Sequence, residues 1–137
     1  MTRRLFADTF YWVALLNRRD RWNRRVVEFT DGLGMHHLIT TDAICDEFLA
    51  HYSGAPRHLR EQAAHTVRRL FGLEHVTVIE QNRAVFLAGL SLFEARPDKG
   101  YSLTDCMSMH MMRREGLTEI LTNDHHFTQE GFRILFP

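Results

Sequence analysis

The sequence predicts an α/β fold with three layers, α/β/α, built around a mostly parallel central sheet. Three observations carry the prediction. Short apolar, β-branched runs alternate with longer stretches of helical periodicity along the chain. The helical stretches end at or before glycine or proline: Gly32, Gly54 with Pro56, Gly72, Pro97 and Gly116. No repeat, low-complexity segment or linker divides the 137 residues, so 1–137 is expected to form one domain large enough for a real core.

The elements follow in order. "RLFA" (Arg4–Ala7) is the first strand and "FYWVALLN" the compact apolar helix after it. "RWNRRVVEFTDG" is a second helix, with Trp22, Val26 and Phe29 spaced by four and three. "HLIT" (His37–Thr40) is a strand, and Thr41 can cap the helix "DAICDEFLAHYS". Leu59, Ala63, Val67, Leu70 and Phe71 make a helical stripe within Arg57–Phe71. "VTVI" (Val76–Ile79) is a β-branched strand, followed by the helix "NRAVFLAGLSLFEA". In "KGYSLTDCMSMHMMRREG", Ser102 and Asp105 have the spacing of a capping box at the start of the next helix. "EILT" (Glu119–Thr122) and "FRILF" (Phe132–Phe136) are the last strands.

Composition narrows the function. Hydrophobic residues at 45% and charged residues at 25% are those of a globular chain. No apolar run approaches membrane-spanning length and the N-terminus lacks a signal-peptide pattern, so a soluble, cytoplasmic protein without a membrane partner is expected. Cys45 and Cys106 form no CxxC pair. The formal charge is zero, so no whole-molecule attraction to polyanions is evident. Of 17 cationic residues only Lys99 is a lysine. Arginine suits phosphate recognition, although a GC-rich coding sequence produces the same bias.

The carboxylates are more informative. Right-handed crossovers put the C-terminal ends of parallel strands on one edge, and ligands sit beyond that edge where the strand order reverses. Asp8 follows the first strand directly, and Asp124 lies two residues beyond "EILT". Glu47 falls in the second turn of the helix leaving "HLIT", and Asp105 in the first turn of its own helix. Four acids from remote segments therefore meet on one rim. Two carboxylates ~4 Å apart repel by roughly 4 kcal/mol at an effective dielectric of ~20, so the cluster must bind cations, protonate or spread apart. Oxygen ligands suit Mg²⁺ or Mn²⁺ better than Zn²⁺. Such ions can activate a water and stabilise the leaving oxygen of a phosphodiester. Taken singly, Asp8 and Asp105 also read as helix caps and Asp124 as a turn residue. Glu47 borders the buried stripe of Ile44, Phe48 and Tyr52, whereas Asp46 faces away.

"DKGYSLTDC" with the downstream "TNDHHF" resembles the PIN domain, the nuclease fold of VapC-type toxins from toxin–antitoxin pairs. Asp8-Thr9, Glu47, Asp105 in "SLTDC" and Asp124 in "TNDHHF" match that family's four acids in order, with His126 and Phe127 alongside. The one departure at the first acid is Phe10, where many members have a small residue. The resemblance implies a PIN-like fold and Mg²⁺- or Mn²⁺-dependent endoribonuclease activity on an RNA substrate such as tRNA or rRNA. Asp8 and Asp105 would be direct ligands, Asp124 would complete the shell, and Glu47 would orient water or a second ion. Thr9, Ser102 and Thr104 would steady these carboxylates. A cognate antitoxin and a homodimer are the implied partners, through apolar faces near "FYWVALLN" and Arg57–Phe71.

Other chemistries fit less well. A haloacid-dehalogenase-type phosphatase needs a second acid at Phe10, and a receiver domain needs a lysine after a late strand. A zinc hydrolase finds no H-E-x-x-H, and His110 reads as a packing residue. Two rivals stay open: an RNA-processing or decay nuclease without an antitoxin, and a PIN scaffold that binds RNA or protein without turnover.

Overall fold

Leu5, Phe6 and Ala7 are completely buried, as expected of an uninterrupted apolar run that forms a central parallel strand covered on both faces. In the computed structural model, which describes residues 2–137, they belong to β1 (Arg3–Ala7). The chain continues through α1 (Thr9–Leu16), α2 (Asn23–Asp31), β2 (His36–Thr41), α3 (Asp42–His51), α4 (Arg57–Leu70), β3 (Val76–Ile79), α5 (Arg83–Ala95) and α6 (Leu103–Arg114). It ends with β4 (Glu119–Leu121), α7 (His126–Gln129) and β5 (Arg133–Ile134).

The sheet order is β3-β2-β1-β4-β5, and every pairing is parallel. Arg3 to Phe6 pair in register with His36 to Ile39, while Phe6 and Ala7 pair with Ile120 and Leu121. From β1 the chain steps one way to β2 and β3, then returns past β1 to place β4 and β5. The strand order therefore reverses between β1 and β4. Helices cover both faces, giving the predicted three-layer architecture.

Local chemistry explains the helix starts. The Thr41 hydroxyl accepts the Ile44 N–H at 3.1 Å, and the Asn82 side chain accepts that of Val85 at 3.0 Å. Ser102 and Asp105 form the expected reciprocal capping box. At Gly116, φ is +68°, the left-handed conformation that ends α6 at little cost for glycine.

The apolar run of α1 is largely spent in the core, where Tyr11, Trp12, Val13 and Ala14 are buried. In α4, Ala63 and Leu70 are buried and Leu59 and Val67 partly so, while Phe71 is exposed. Two differences from the sequence expectation occur near the C-terminus. The last strand spans only Arg133–Ile134, because Phe136 turns into an aromatic cluster with Phe10, Trp22 and Phe29. The segment after β4 forms the short helix α7 rather than a plain turn. Among the described residues, no helix is long and apolar enough to cross a membrane.

Candidate active site

The four acids enter the rim from four elements. Asp8 follows β1 at the N-cap position of α1, with extended backbone, yet its side chain makes no capping bond. Its carboxylate instead accepts a hydrogen bond from the Thr122 hydroxyl at 2.7 Å, across the gap where the strand order reverses. The capping reading of Asp8 is thereby excluded. Thr122 is itself completely buried, and its hydroxyl also accepts the backbone N–H of Asp124 at 3.2 Å. One threonine thus couples two of the acids.

Glu47 projects from the second turn of α3, and the Thr9 hydroxyl donates to its Oε1. Asp105, in the first turn of α6, accepts the Ser102 N–H at 3.1 Å while its own N–H reaches the Ser102 hydroxyl at 3.0 Å. Ser102 therefore steadies the Asp105 carboxylate through both its backbone and its side chain. Asp124 accepts the His126 N–H at 2.9 Å, which starts α7. Thr104 lines a cleft beside Glu47 with Phe86 and Met107, and among the described residues no hydrogen bond joins it to an acid.

Electrostatics tie the cluster together. Burial pushes the Asp8 carboxyl up to about 7, and the nearby Asp105 and Glu47 charges add to it against the hydrogen bonds from Thr122 and Thr9. Burial also raises Asp105, with Asp124 and Glu47 reinforcing the shift. Among the described residues, no arginine or lysine forms an ion pair with any of the four. Arginine charge goes elsewhere: Arg3 and Arg133 to Glu119, Arg96 and Arg113 to Glu130.

Within the rim, donor atoms of Asp105, Asp124 and His126 lie within 4.8 Å of one another, while Asp8 and Glu47 stand outside this tight trio. His126 Nδ1 is 3.3 Å from Asp124 Oδ1 and 3.8 Å from Asp105 Oδ2, and it is buried without a hydrogen-bond partner. The sequence singled out neither Thr122 nor His126 as a site residue, although both flank Asp124 in "TNDHHF". This donor set fits a hard divalent cation: crowded carboxylates, no arginine or lysine paired to them among the described residues, and an orphaned nitrogen facing two of them.

The fold is shared with solved structures. VapC20 from Mycobacterium tuberculosis, a sarcin–ricin loop cleaving toxin, superposes with a TM-score of 0.82 at 20% identity, covering 93% of this chain and 95% of that one. FitAcB from Neisseria gonorrhoeae gives 0.66 at 15% identity, covering 95% of each chain. VapBC2 from Rickettsia felis, bound to a DNA fragment from its promoter, gives 0.64 at 13% identity, covering 96% of each. No curated protein sequence matches the chain. The PIN-domain family model matches residues 5–132, from the first core residue of β1 to the residue before the last strand. The chain belongs to the PIN-domain family.

Proposed function

We propose that the acidic rim is the active site of a metal-dependent endoribonuclease of the VapC-toxin type, with residues 1–137 acting as one domain. The observation that carries this reading is four carboxylates, drawn from four remote segments to the switch point of a parallel sheet, with no arginine or lysine among the described residues paired to any of them. A carboxylate kept for stability finds a cation, as Glu119 and Glu130 do.

Asp8, Asp105 and Asp124 would hold the divalent ion, Mg²⁺ or Mn²⁺. When bound, it supplies a Lewis acid that makes water a nucleophile near neutral pH and neutralises charge on the phosphate oxygens. The Thr122 hydroxyl fixes the Asp8 carboxylate in advance, which lowers the reorganisation needed on binding. With Oε1 held by Thr9, Glu47 keeps Oε2 free to accept a hydrogen bond from the attacking water and orient it. Attack of water on phosphorus would break the P–O bond to the leaving ribose oxygen, the proton lost by the water being balanced by one gained by that oxygen from solvent, with no covalent enzyme intermediate.

The sarcin–ricin loop named for VapC20 makes ribosomal RNA the first substrate to test, with tRNA next. The partner we infer is a cognate antitoxin, in a cytoplasmic setting. Support comes from a mostly apolar cavity of about 270 Å³ between α1 and α4, lined by Trp12, Leu16, Leu70 and Leu73. An antitoxin arginine entering the rim would supply a cation for carboxylates that no arginine or lysine pairs with among the described residues. A homodimer through the exposed Phe86, Leu87 and Phe93 of α5 completes the reading.

The test is total RNA incubated with purified protein, with and without EDTA, and sequenced at new ends. Discrete ends that require Mg²⁺ or Mn²⁺ and vanish with Asp8→Asn are expected. RNA that is bound but never cut would make the protein a binding module instead.

A further inference from the structure

Three donor atoms converge at the mouth of the rim, and one is not an oxygen. His126 Nδ1 approaches Asp124 Oδ1 to 3.3 Å and Asp105 Oδ2 to 3.8 Å, yet it is buried and hydrogen-bonds to neither. A buried polar atom without a partner costs stability unless something absent from the polypeptide satisfies it. Separations of this size are also those between neighbouring ligands on one ion, since donors about 2.1 Å from a centre lie roughly 3 Å apart when adjacent and roughly 4 Å apart when opposite.

The ring is aimed by its surroundings. Its backbone N–H is tied to Asp124 at 2.9 Å, and the ring packs at a 60° tilt against Tyr101 with ring centroids 5.3 Å apart. Tyr101 is anchored in turn by its hydroxyl donating to Glu130 at 2.9 Å, and Glu130 is clamped by Arg96 and Arg113. Such outer contacts characteristically orient a ligating imidazole.

We propose that His126 donates Nδ1 to the ion held by Asp105 and Asp124, so that the site combines oxygen with nitrogen and prefers Mn²⁺ to Mg²⁺. This rests on the metal-site reading above and adds a ligand and an ion preference to it. Nitrogen donors favour transition ions, whereas Mg²⁺ keeps to oxygen and water. The imidazole coordinates in the tautomer that keeps its proton on Nε2.

The test is pulsed EPR of Mn²⁺ bound to the wild type, His126→Ala and His126→Asn, with calorimetric affinities for Mn²⁺ and Mg²⁺. Asparagine places an oxygen near the position of Nδ1, so it keeps a ligand while removing the nitrogen, and it serves if the alanine variant folds poorly. The wild type should show nitrogen hyperfine coupling on Mn²⁺, absent from both variants. His126→Ala should bind Mn²⁺ at least about tenfold more weakly. His126→Asn should lose most of the Mn²⁺-over-Mg²⁺ preference. Mn²⁺ bound without nitrogen coupling, or an unchanged preference in His126→Asn, would overturn the proposal while leaving the carboxylate site intact. A wild type that binds no divalent ion would instead sink the metal-site reading and this inference with it.

Discussion

At the scale of single residues, Asp8 is where function and stability conflict. Its folded pKa of about 7 exceeds the ordinary 3.8, so the stability linked to its protonation is fully present below about pH 4 and is lost as pH rises through 7. A shift of roughly three units corresponds to about 4 kcal/mol as an upper bound. Metal-free Asp8→Asn should therefore resist urea better than the wild type at pH 8, with the advantage shrinking towards pH 4, while RNA cleavage is abolished. A pH-independent difference would deny that the buried charge is the cause. Asp105 differs because it also closes the α6 capping box. Its Asn variant keeps an acceptor for Ser102, so it should lose cleavage with a stability change within about 1 kcal/mol. A clear drop in melting temperature would mean that capping is its main task.

At the scale of elements, what was legible in the sequence depended on how local the cause was. The Ser102 and Thr41 caps and the glycine at the end of α6 act within four residues, and each is where the spacing put it. The central strands were equally plain, because a strand buried on both faces must be apolar throughout. The early end of β5 and the formation of α7 were hidden. The first is decided by Phe136 joining rings contributed by α1 and α2, the second by an Asp124 carboxylate that also reads as a turn. In the site, the four acids could be placed because strand ends and helix starts share one edge. The Thr122–Asp8 bond spans 114 residues and carries no sequence signal of its own. Packing of α5 on α6 is another long-range condition. A Cβ at Gly89 would lie 3.1 Å from the Met107 N and 3.2 Å from its Cα, so backbone would have to move. Gly89→Ala should cost about 1–3 kcal/mol in urea unfolding. An unchanged midpoint would show that the two helices part freely.

Over the whole molecule, opposite-signed titrations set the pH response. Burial raises the Glu130 carboxyl, but hydrogen bonds from Arg113, Arg96 and Tyr101 override it and hold the group at about 2. Arg3 holds Glu119 below its usual value as well. Their contributions are present above the ordinary glutamate range and fade as pH falls below it, whereas that of Asp8 grows as pH falls from about 7. Metal-free protein should thus be most stable near pH 5, and saturating Mn²⁺ should flatten the alkaline side by favouring ionised Asp8. Melting curves with EDTA and with Mn²⁺ across pH 3–9 check this. The chain is neutral overall, and among the described residues arginines pair with Glu119 and Glu130 but with none of the four rim acids. That separation of charge is why a cation is expected there. Calorimetric titration of Mn²⁺ into metal-free wild type and Asp105→Asn probes it most directly. Saturable binding in the wild type, weakened at least about tenfold in the variant, is expected; equal heats in both proteins, or none in either, would contradict a cation site on the rim.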